Sequence, residues 1–318
     1  MGKVVSAAAR MLQYGLAAAG LPPGQDCPTN PPSAPAPTVI ASIGIFDSGI
    51  GGFSVLRAIR EQLPWLPVVY VADQAHVPYG GRGVAEIRAL SFGVVQHLVE
   101  TAGVGLVVVA CNTASAAALR PLRAARPDTP FVGMEPAVKP AARLTRGGTV
   151  GVLATPATLQ GELYAGVVRR FAPGLTVLED PCAGLVERIE AGDLAGPKTR
   201  EILARAVLPM LERGADVLVL GCTHYPFVLP LIRELAGPAV QIIDPAPAVA
   251  RHTAQLLAER GGAGPPREGA AAGRLRILTT GAAATLARQI QALLPAETPE
   301  TGQLAWLDGR LLPLTGSQ

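Results

Sequence analysis

The sequence is poor in aromatic residues and in lysine. Only 4% of its 318 residues are aromatic, whereas 49% are hydrophobic, so a packed interior has to be built mainly from Ala, Val, Leu and Ile. A chain of this length can bury one large core or two smaller ones. Its cationic residues are 24 Arg and 3 Lys, spread along the chain, and the net charge is +3. Without a basic cluster, direct binding of nucleic acid is not expected.

Cysteine is also scarce. Cys27, Cys111, Cys182 and Cys222 are widely separated, and none forms a Cys-x-x-Cys pair. This spacing argues against a zinc ribbon and against a small domain held together by disulfides. A long apolar run is missing as well, so no segment is expected to cross a membrane. The sequence therefore predicts a cytoplasmic protein without membrane contact.

The first 39 residues differ in composition from the rest. They are rich in Ala and Pro, as in "LPPGQDCPTNPPSAPAP", and their apolar patch "MLQYGLAAAG" is short and contains Gln13. A signal peptide is the alternative, but a short patch interrupted by a polar residue fits its apolar core poorly. The composition instead favours a disordered extension over residues 1–39.

From residue 40 onward, short apolar runs alternate with segments at helical spacing. The predicted strands are 43–46, 68–71, 106–110, 131–133, 150–154, 217–220, 240–243 and 275–278. The predicted helices are 53–63, 84–101, 114–125, 199–213, 227–235 and 248–260. The strands are continuously apolar, as expected when helices cover both faces of a parallel sheet. This pattern is typical of the α/β class.

An internal repeat relates the first half of this pattern to the second. "LVVVACNTASAAALRPLR" (106–123) is similar to "VLVLGCTHYPFVLPLIR" (217–233), and "IGIFDSG" (43–49) is similar to "VGVLATP" (150–156). Any two strand–helix units share some features, and chance similarity is the alternative. The common order and spacing favour two similar parallel-sheet α/β domains. The expected division is residues 40–137 plus 247–318 for the first and 138–246 for the second.

Each half of this repeat supplies one cysteine, Cys111 or Cys222, where a strand gives way to a helix. Ligands of parallel α/β sheets lie beyond the carboxyl ends of the strands. A helix N-terminus lowers the pKa of a nearby thiol from about 8.5 toward neutrality. Two such thiols facing each other across a cleft between the domains form a pair of bases or nucleophiles.

Polar residues accompany these cysteines. Asp47 and Ser48 begin the glycine-rich turn "DSGIGG", which lacks the third glycine of a dinucleotide site and the lysine of a P-loop. A simple helix cap is the alternative for Asp47, and an ordinary surface turn is the alternative for "VPYGGR" around Tyr79. His224, two residues after Cys222, is either a partner of the thiol or a buried core histidine. The other histidines, His76, His97 and His252, are expected at the surface.

Other chemistries fit these residues less well. A zinc site needs three or four ligands, and Cys222 with His224 offers two, so no metal is expected. A Cys-His hydrolase leaves the second cysteine unexplained. A dithiol redox protein requires a Cys111–Cys222 disulfide, which a cleft wide enough for a substrate prevents.

The ordered set "GIFDSGIGG", "VPYG", "ACNTAS", "VGVLATPAT", "LGCTHYP" and "IIDP" closely resembles the glutamate racemases of the aspartate/glutamate racemase superfamily. The resemblance extends from about residue 43 to 278. It implies two α/β domains related by a pseudo-two-fold axis, with the active site in the cleft between them. Ala72, Gln74 and Ala137 depart from the pattern, in which Gly, Thr and Gly are usual.

The resemblance also implies site residues. Cys111 and Cys222 match the two catalytic acid/bases, and Asp47 and His224 match residues that assist the thiols. The positions that match substrate contacts are Asp47, Ser48, Tyr79, Gly80, Asn112, Thr113, Thr223 and His224, with Glu190 of "LVERIEAG" as a further acidic residue. No cofactor is implied.

The implied reaction interconverts L- and D-glutamate and supplies D-glutamate for peptidoglycan. Aspartate is the competing substrate, but "THYP" after the second cysteine favours glutamate. Some relatives form homodimers, and some bind DNA gyrase, so a non-catalytic gyrase regulator is the alternative from another class. The intact cysteine pair favours catalysis.

Overall fold

The computed structural model describes residues 40–262, 264 and 272–314. The predicted extension, 1–39, lies outside the described residues, as does Cys27. Among the residues described, no helix combines the length and the apolar character needed to cross a bilayer.

Helices and strands alternate along most of the chain. The strands are β1 Ile43–Asp47, β2 Val68–Ala72, β3 Leu106–Val109, β4 Phe131–Gly133, β5 Thr149–Leu153, β6 Thr176–Asp180, β7 Val217–Leu220, β8 Gln241–Ile243, β9 Leu275–Thr279, β10 Glu300–Leu307 and β11 Arg310–Pro313. The helices are α1 Phe53–Gln62, α2 Val84–Gln96, α3 Asn112–Ala125, α4 Val138–Leu144, α5 Pro156–Leu159, α6 Glu162–Phe171, α7 Leu185–Glu190, α8 Pro197–Glu212, α9 Leu229–Ala236, α10 Ala246–Glu259 and α11 Ala283–Leu293. A π-helical turn, His97–Thr101, extends α2, and Tyr225–Val228 forms a 3₁₀ turn before α9.

Two sheets organise these elements. One has the order β11-β10-β9-β2-β1-β3-β4, and the other has the order β6-β5-β7-β8. The order β2-β1-β3-β4 in the first corresponds strand for strand to β6-β5-β7-β8 in the second. The predicted α/β fold with two similar sheets is thereby confirmed. We call the parts of the chain that surround them the large lobe (seven-stranded sheet) and the small lobe (four-stranded sheet).

The pairing is parallel throughout the described strands except at one edge. β10 and β11 form an antiparallel hairpin, with Leu307 opposite Arg310. This antiparallel hairpin is an addition at the edge of the parallel sheet expected from the sequence. The cause is the short turn Asp308-Gly309, in which both residues have positive φ. A tight turn of this kind joins only antiparallel neighbours.

Both faces of each sheet are buried. In the large lobe, Ile43 and Ile45 of β1 point into one apolar cluster and Phe46 points into another on the opposite face. In the small lobe, Leu153 of β5 and Val152 next to it likewise point into two different clusters. Alternation along a strand sends successive side chains to opposite faces, so only the strand ends remain for polar chemistry.

Candidate active site

The loop after β1 carries a buried carboxylate. Asp47 is fully buried, and its Oδ1 accepts a hydrogen bond of 2.8 Å from the backbone N–H of Gly49. Its Oδ2 accepts one of 3.0 Å from the hydroxyl of Thr223, which belongs to the small lobe. Burial raises the pKa of Asp47 above its ordinary value, although the charge of His224 and these donors oppose the rise. Asp47 is thus more than a local cap, because it joins the two lobes.

Two glycines of this loop are required by the approach of the small lobe. A Cβ at Gly49 would overlap the Glu190 carboxylate, and one at Gly51 would overlap the His224 ring and the Thr223 hydroxyl. Neither glycine has a positive φ. Their role is therefore to let the backbone come close to side chains of the other lobe.

Cys111 caps the N-terminus of α3. The backbone N–H of Ala114 donates to its Sγ at 3.4 Å, and the thiol lies 4.0 Å from the hydroxyl of Ser48. Burial raises the pKa of Cys111 well above its ordinary value, and the nearby Asp47 carboxylate raises it further. The prediction of a lowered pKa was wrong for this thiol, because the helix N–H groups are outweighed by desolvation and by a neighbouring anion.

Cys222 begins a line of three titratable side chains. Its Sγ lies 3.7 Å from Nδ1 of His224, and Nε2 of His224 lies 2.7 Å from Oε1 of Glu190. Burial alone would lower the pKa of His224, but its bonds to Cys222 and Glu190 raise it well above the ordinary value. Burial would likewise raise the pKa of Glu190, yet the bond to His224 holds it below its ordinary value. The imidazolium form of His224 is thereby favoured beside the thiol.

Three polar side chains from the large lobe complete the surroundings. Asn112 is 3% exposed, and neither its amide nitrogen nor its amide oxygen has a hydrogen-bond partner in the described part of the chain. The hydroxyl of Thr113 lies 2.8 Å from that of Thr155. The hydroxyl of Tyr79 donates at 2.7 Å to Asp73. Because an unpaired buried amide costs about 1–3 kcal/mol, Asn112 is poised to bind a polar ligand.

These side chains surround one cavity between the lobes. Its lining residues are Ser48, Pro78, Tyr79, Gly80, Cys111, Asn112, Thr113, Thr155, Val186, Cys222, Thr223 and His224. Asp47 and Glu190 do not line it and lie behind this layer. The volume open to water is about 10 Å³, on the order of one water molecule. No group of three or more possible metal ligands occurs among the residues that the structure describes.

Several residues of the site were not singled out from the sequence. Asp73 follows β2 and accepts hydrogen bonds from Tyr79 and from Trp306 of β10. Thr155 follows β5, where the internal repeat aligns it with Ser48, so the repeat was a usable signal. Gln289, in α11, contacts Glu190. No local sequence pattern predicts this contact.

The remaining histidines do not all lie at the surface. His97 is 4% exposed, and its Nδ1 is 3.1 Å from the carbonyl oxygen of Leu311. Its expected surface position was wrong, because β11 covers the π-helical turn that carries it. His252 is exposed as expected, and His76 is partly buried beside Asp73.

The chain is similar in sequence to known proteins. A sequence model described as "Asp/Glu/Hydantoin racemase" matches residues 43–253. The chain is 55% identical over 219 residues to glutamate racemase of Roseiflexus sp. (strain RS-1), covering 69% of this chain and 80% of that one. It is 53% identical over 220 residues to glutamate racemase of Pseudomonas aeruginosa (strain PAO1), covering 69% and 83%.

Solved structures give the same result. Glutamate racemase RacE1 of Bacillus anthracis has a TM-score of 0.72 at 29% identity, covering 85% of this chain and 98% of that one. Glutamate racemase of Escherichia coli, solved with L-glutamate and the activator UDP-MurNAc-Ala, has a TM-score of 0.71 at 33% identity, covering 86% and 99%.

Fold, cavity and similarity together define an α/β isomerase of the amino-acid racemase class. The chain belongs to the Asp/Glu/hydantoin racemase family, and within that family the relatives just described are glutamate racemases.

Proposed function

We propose that this chain interconverts L- and D-glutamate, with Cys111 and Cys222 as opposed acid and base. One observation carries the proposal. The two thiols follow corresponding strands, β3 and β7, of two sheets with the same strand order, and both line one cavity between the lobes. A reaction that removes a proton from one face of a carbon and returns one to the other needs such a pair.

The chemistry assigned to the thiols is proton transfer. The thiolate of Cys222 removes the Cα proton of L-glutamate, and the Cys111 thiol gives its proton to the opposite face. D-glutamate leaves, and the protonation states of the two sulfurs have been exchanged. D-glutamate is converted by the reverse sequence. Each thiol must therefore act as both acid and base, which is possible because it changes roles with each turnover.

Charged neighbours support this assignment. His224, held as imidazolium by Glu190, places a positive charge 3.7 Å from Sγ of Cys222. The Cα proton of an amino acid is far too weakly acidic for an unaided side-chain base, so the developing negative charge needs preorganised donors. The Asn112 amide, unpaired within the described residues, and the N–H groups at the start of α3 meet that requirement.

We assign the remaining polar groups of the cavity to substrate binding. These are Ser48, Tyr79, Gly80, Asn112, Thr113 and Thr223. Asp47 and Glu190 act from behind the lining, on the Thr223 hydroxyl and on His224. Because about 10 Å³ does not hold an amino acid, the lobes separate to admit substrate and close on it.

The proposal also covers the division into domains, the use of the product and the location of the protein. We assign residues 40–137 and 247–318 to one domain and 138–246 to the other, a division supported by the strands each sheet contains. The product D-glutamate would supply peptidoglycan synthesis in the cytoplasm. A relative from Francisella tularensis was solved in complex with D-glutamate, at 26% identity and a TM-score of 0.72, and it supports the choice of ligand.

The test is racemisation by the purified full chain without added cofactor. Circular dichroism should report loss of optical activity from L-glutamate and from D-glutamate, with much slower loss from L-aspartate. Cys111→Ala and Cys222→Ala should abolish the signal, and the Ser variants should retain only slight activity. Cys182→Ala is the matched control, because Cys182 is buried outside the cavity lining.

Two results would overturn the proposal. One is an inactive wild-type chain with a normal unfolding transition, which would favour the gyrase-regulator alternative and call for a gyrase inhibition assay. The other is faster turnover of aspartate than of glutamate. Size-exclusion chromatography of the same sample tests the homodimer that the resemblance implies.

A further inference from the structure

Glu190 belongs to the small lobe but accepts hydrogen bonds from residues of the large lobe. It ends α7 of the small lobe, yet its Oε1 accepts a 2.8 Å hydrogen bond from the backbone N–H of Ile50. Its Oε2 accepts from the side-chain amides of Gln74 at 3.3 Å and Gln289 at 3.4 Å. Gln289 also donates to the backbone carbonyl of Glu190 at 2.8 Å. All three donors belong to the large lobe.

The orientation of the two amides is fixed by the Glu190 carboxylate, which can only accept hydrogen bonds. The hydroxyl of Thr279 accepts from the backbone N–H of Gly281 at 2.8 Å and donates to Oε1 of Gln74, also at 2.8 Å. The NH₂ group of Gln74 is then directed to Glu190 and to Oε1 of Gln289, 2.8 Å away. With its oxygen occupied in this way, Gln289 turns its own NH₂ group to Glu190. In this orientation every N–H and O–H of the chain faces an acceptor.

Neutral donors suit this position. An amide N–H stabilises a carboxylate without cancelling its charge, whereas an Arg or Lys here would compete with His224 for Glu190. The two amides leave Oε1 of Glu190 facing Nε2 of His224 at 2.7 Å. The negative charge of Glu190 therefore remains available to attract the imidazolium of His224.

We propose that Gln74 and Gln289 form a latch that, when the lobes close, holds the Glu190 carboxylate against His224 and so keeps His224 charged beside Cys222. The inference rests on the proposed function, since it makes both glutamines positioning residues for the half of the reaction at Cys222. Because the amide donors and Glu190 lie on opposite lobes, closing the lobes forms the latch and at the same time charges His224 beside Cys222. An open enzyme lacks the latch and leaves Cys222 without its full electrostatic support.

The latch predicts an asymmetric kinetic effect. Gln289→Ala should lower kcat roughly tenfold, the scale of one lost hydrogen bond to a charged group, with a smaller change in KM. Enantiomers have equal free energy, so kcat/KM must fall equally in both directions. The isotope effects should nevertheless diverge. Slower proton transfer at Cys222 should increase the isotope effect for Cα-deuterated L-glutamate and decrease it for Cα-deuterated D-glutamate.

A second variant changes charge at the same place. Gln289→Glu puts a carboxylate next to Glu190, so activity should fall further at alkaline pH and recover partly as the pH is lowered and the new carboxyl takes up a proton. Other titratable groups face this cluster, namely Cys222, Asp47 and Tyr70. They are common to wild type and variant, so the difference between their pH profiles isolates the latch. Gln255→Ala is the matched control, since Gln255 is exposed and donates to Glu259 within α10.

One readout does not depend on turnover. The imidazole ¹⁵N signals of His224, assigned by their loss in His224→Asn, should titrate at lower pH in Gln289→Ala than in wild type, and Gln255→Ala should match wild type. An unchanged titration, or isotope effects that move together for both enantiomers, would overturn the latch. If the wild type fails to racemise glutamate, the proposed function falls, and the ¹⁵N titration still decides whether the latch exists.

Discussion

The hydroxyl of Thr223 donates a 3.0 Å hydrogen bond to Oδ2 of Asp47, and this bond joins the loop after β7 to the loop after β1. Both loops lie at the carboxyl ends of interior strands, one in each sheet. The backbone carbonyl of Thr223 also accepts from the hydroxyl of Ser54 at 3.0 Å. The residue that follows Cys222 is thus fixed to the opposite lobe at two atoms.

Thr223→Val tests this junction. The variant keeps the side-chain shape but leaves a buried carboxylate oxygen without its donor, which should cost about 1–3 kcal/mol of unfolding free energy and reduce kcat. Urea unfolding and racemisation rates give the two values. Thr253→Val is the control, because the Thr253 hydroxyl is buried but bonds within α10, and it should leave kcat unchanged. Equal kcat values for the two variants would show that the junction has no role in turnover.

Gly51→Ala should separate the lobes. The added Cβ overlaps the His224 ring and the Thr223 hydroxyl, and strain from one inserted methyl group is on the order of 1–3 kcal/mol. We expect kcat/KM to fall at least about tenfold. Gly81→Ala is the control, since its Cβ would meet no atom of the described residues within 4 Å. A fully active Gly51→Ala enzyme would contradict the closed arrangement described here.

The Glu190–His224 pair should give a defined pH dependence of stability. The pKa of His224 is raised in the folded state. Its contribution to the free energy of unfolding is therefore complete below pH 6.5, the ordinary pKa, and is lost as the pH rises through the raised pKa. The pKa of Glu190 is lowered, so its contribution is complete above 4.5 and is lost as the pH falls through the lowered value. The pair therefore stabilises the fold most between pH 4.5 and pH 6.5, where both contributions are complete.

Glu190→Gln measures that contribution. Removing one partner of a buried ion pair costs on the order of 3–5 kcal/mol, and the difference from wild type should be largest between about pH 4.5 and 6.5. It should shrink on both sides of this window. Denaturant unfolding at a series of pH values provides the curve. A difference that does not vary with pH would mean that His224 is neutral beside Glu190.

Asp73 should control the position of Tyr79. Its carboxylate accepts from Tyr79 at 2.7 Å, Trp306 at 2.8 Å, Thr280 at 2.8 Å and His76 at 3.0 Å. Asp73→Asn turns an NH₂ group toward these donors, so Tyr79 should shift in the cavity wall and KM for glutamate should rise. Asp128→Asn on the exposed surface should leave KM unchanged. An unaltered KM in Asp73→Asn would show that the hydrogen bonds of Asp73 have no role in substrate binding.

The sequence predicted the interior of the fold better than its edges. All eight predicted strands are present with ends shifted by at most a residue, because buried parallel strands are continuous apolar runs. β6 and the hairpin β10–β11 were missed since exposed residues interrupt their apolar pattern. α3 begins at Asn112, two residues before its predicted start, because the thiol of Cys111 accepts the Ala114 N–H and serves as the cap.

The site shows a similar division. Local motifs placed the two thiols, Asn112 and His224 around one cavity, since each follows a strand end. The Gln289–Glu190 contact joins residues 99 positions apart, and no local pattern encodes it. The high pKa of Cys111 was also missed, because desolvation depends on how closely the lobes pack and not on the helix that Cys111 caps.

The two-thiol mechanism is tested most directly by early turnover in deuterated water. Starting from L-glutamate, the first D-glutamate formed should carry deuterium at Cα, while the remaining L-glutamate carries almost none. Starting from D-glutamate, the labels should be reversed. This pattern follows if Cys222 and Cys111 separately remove and return the proton. Early product that retains the substrate's own proton, or deuterium that enters substrate and product alike, would contradict the account.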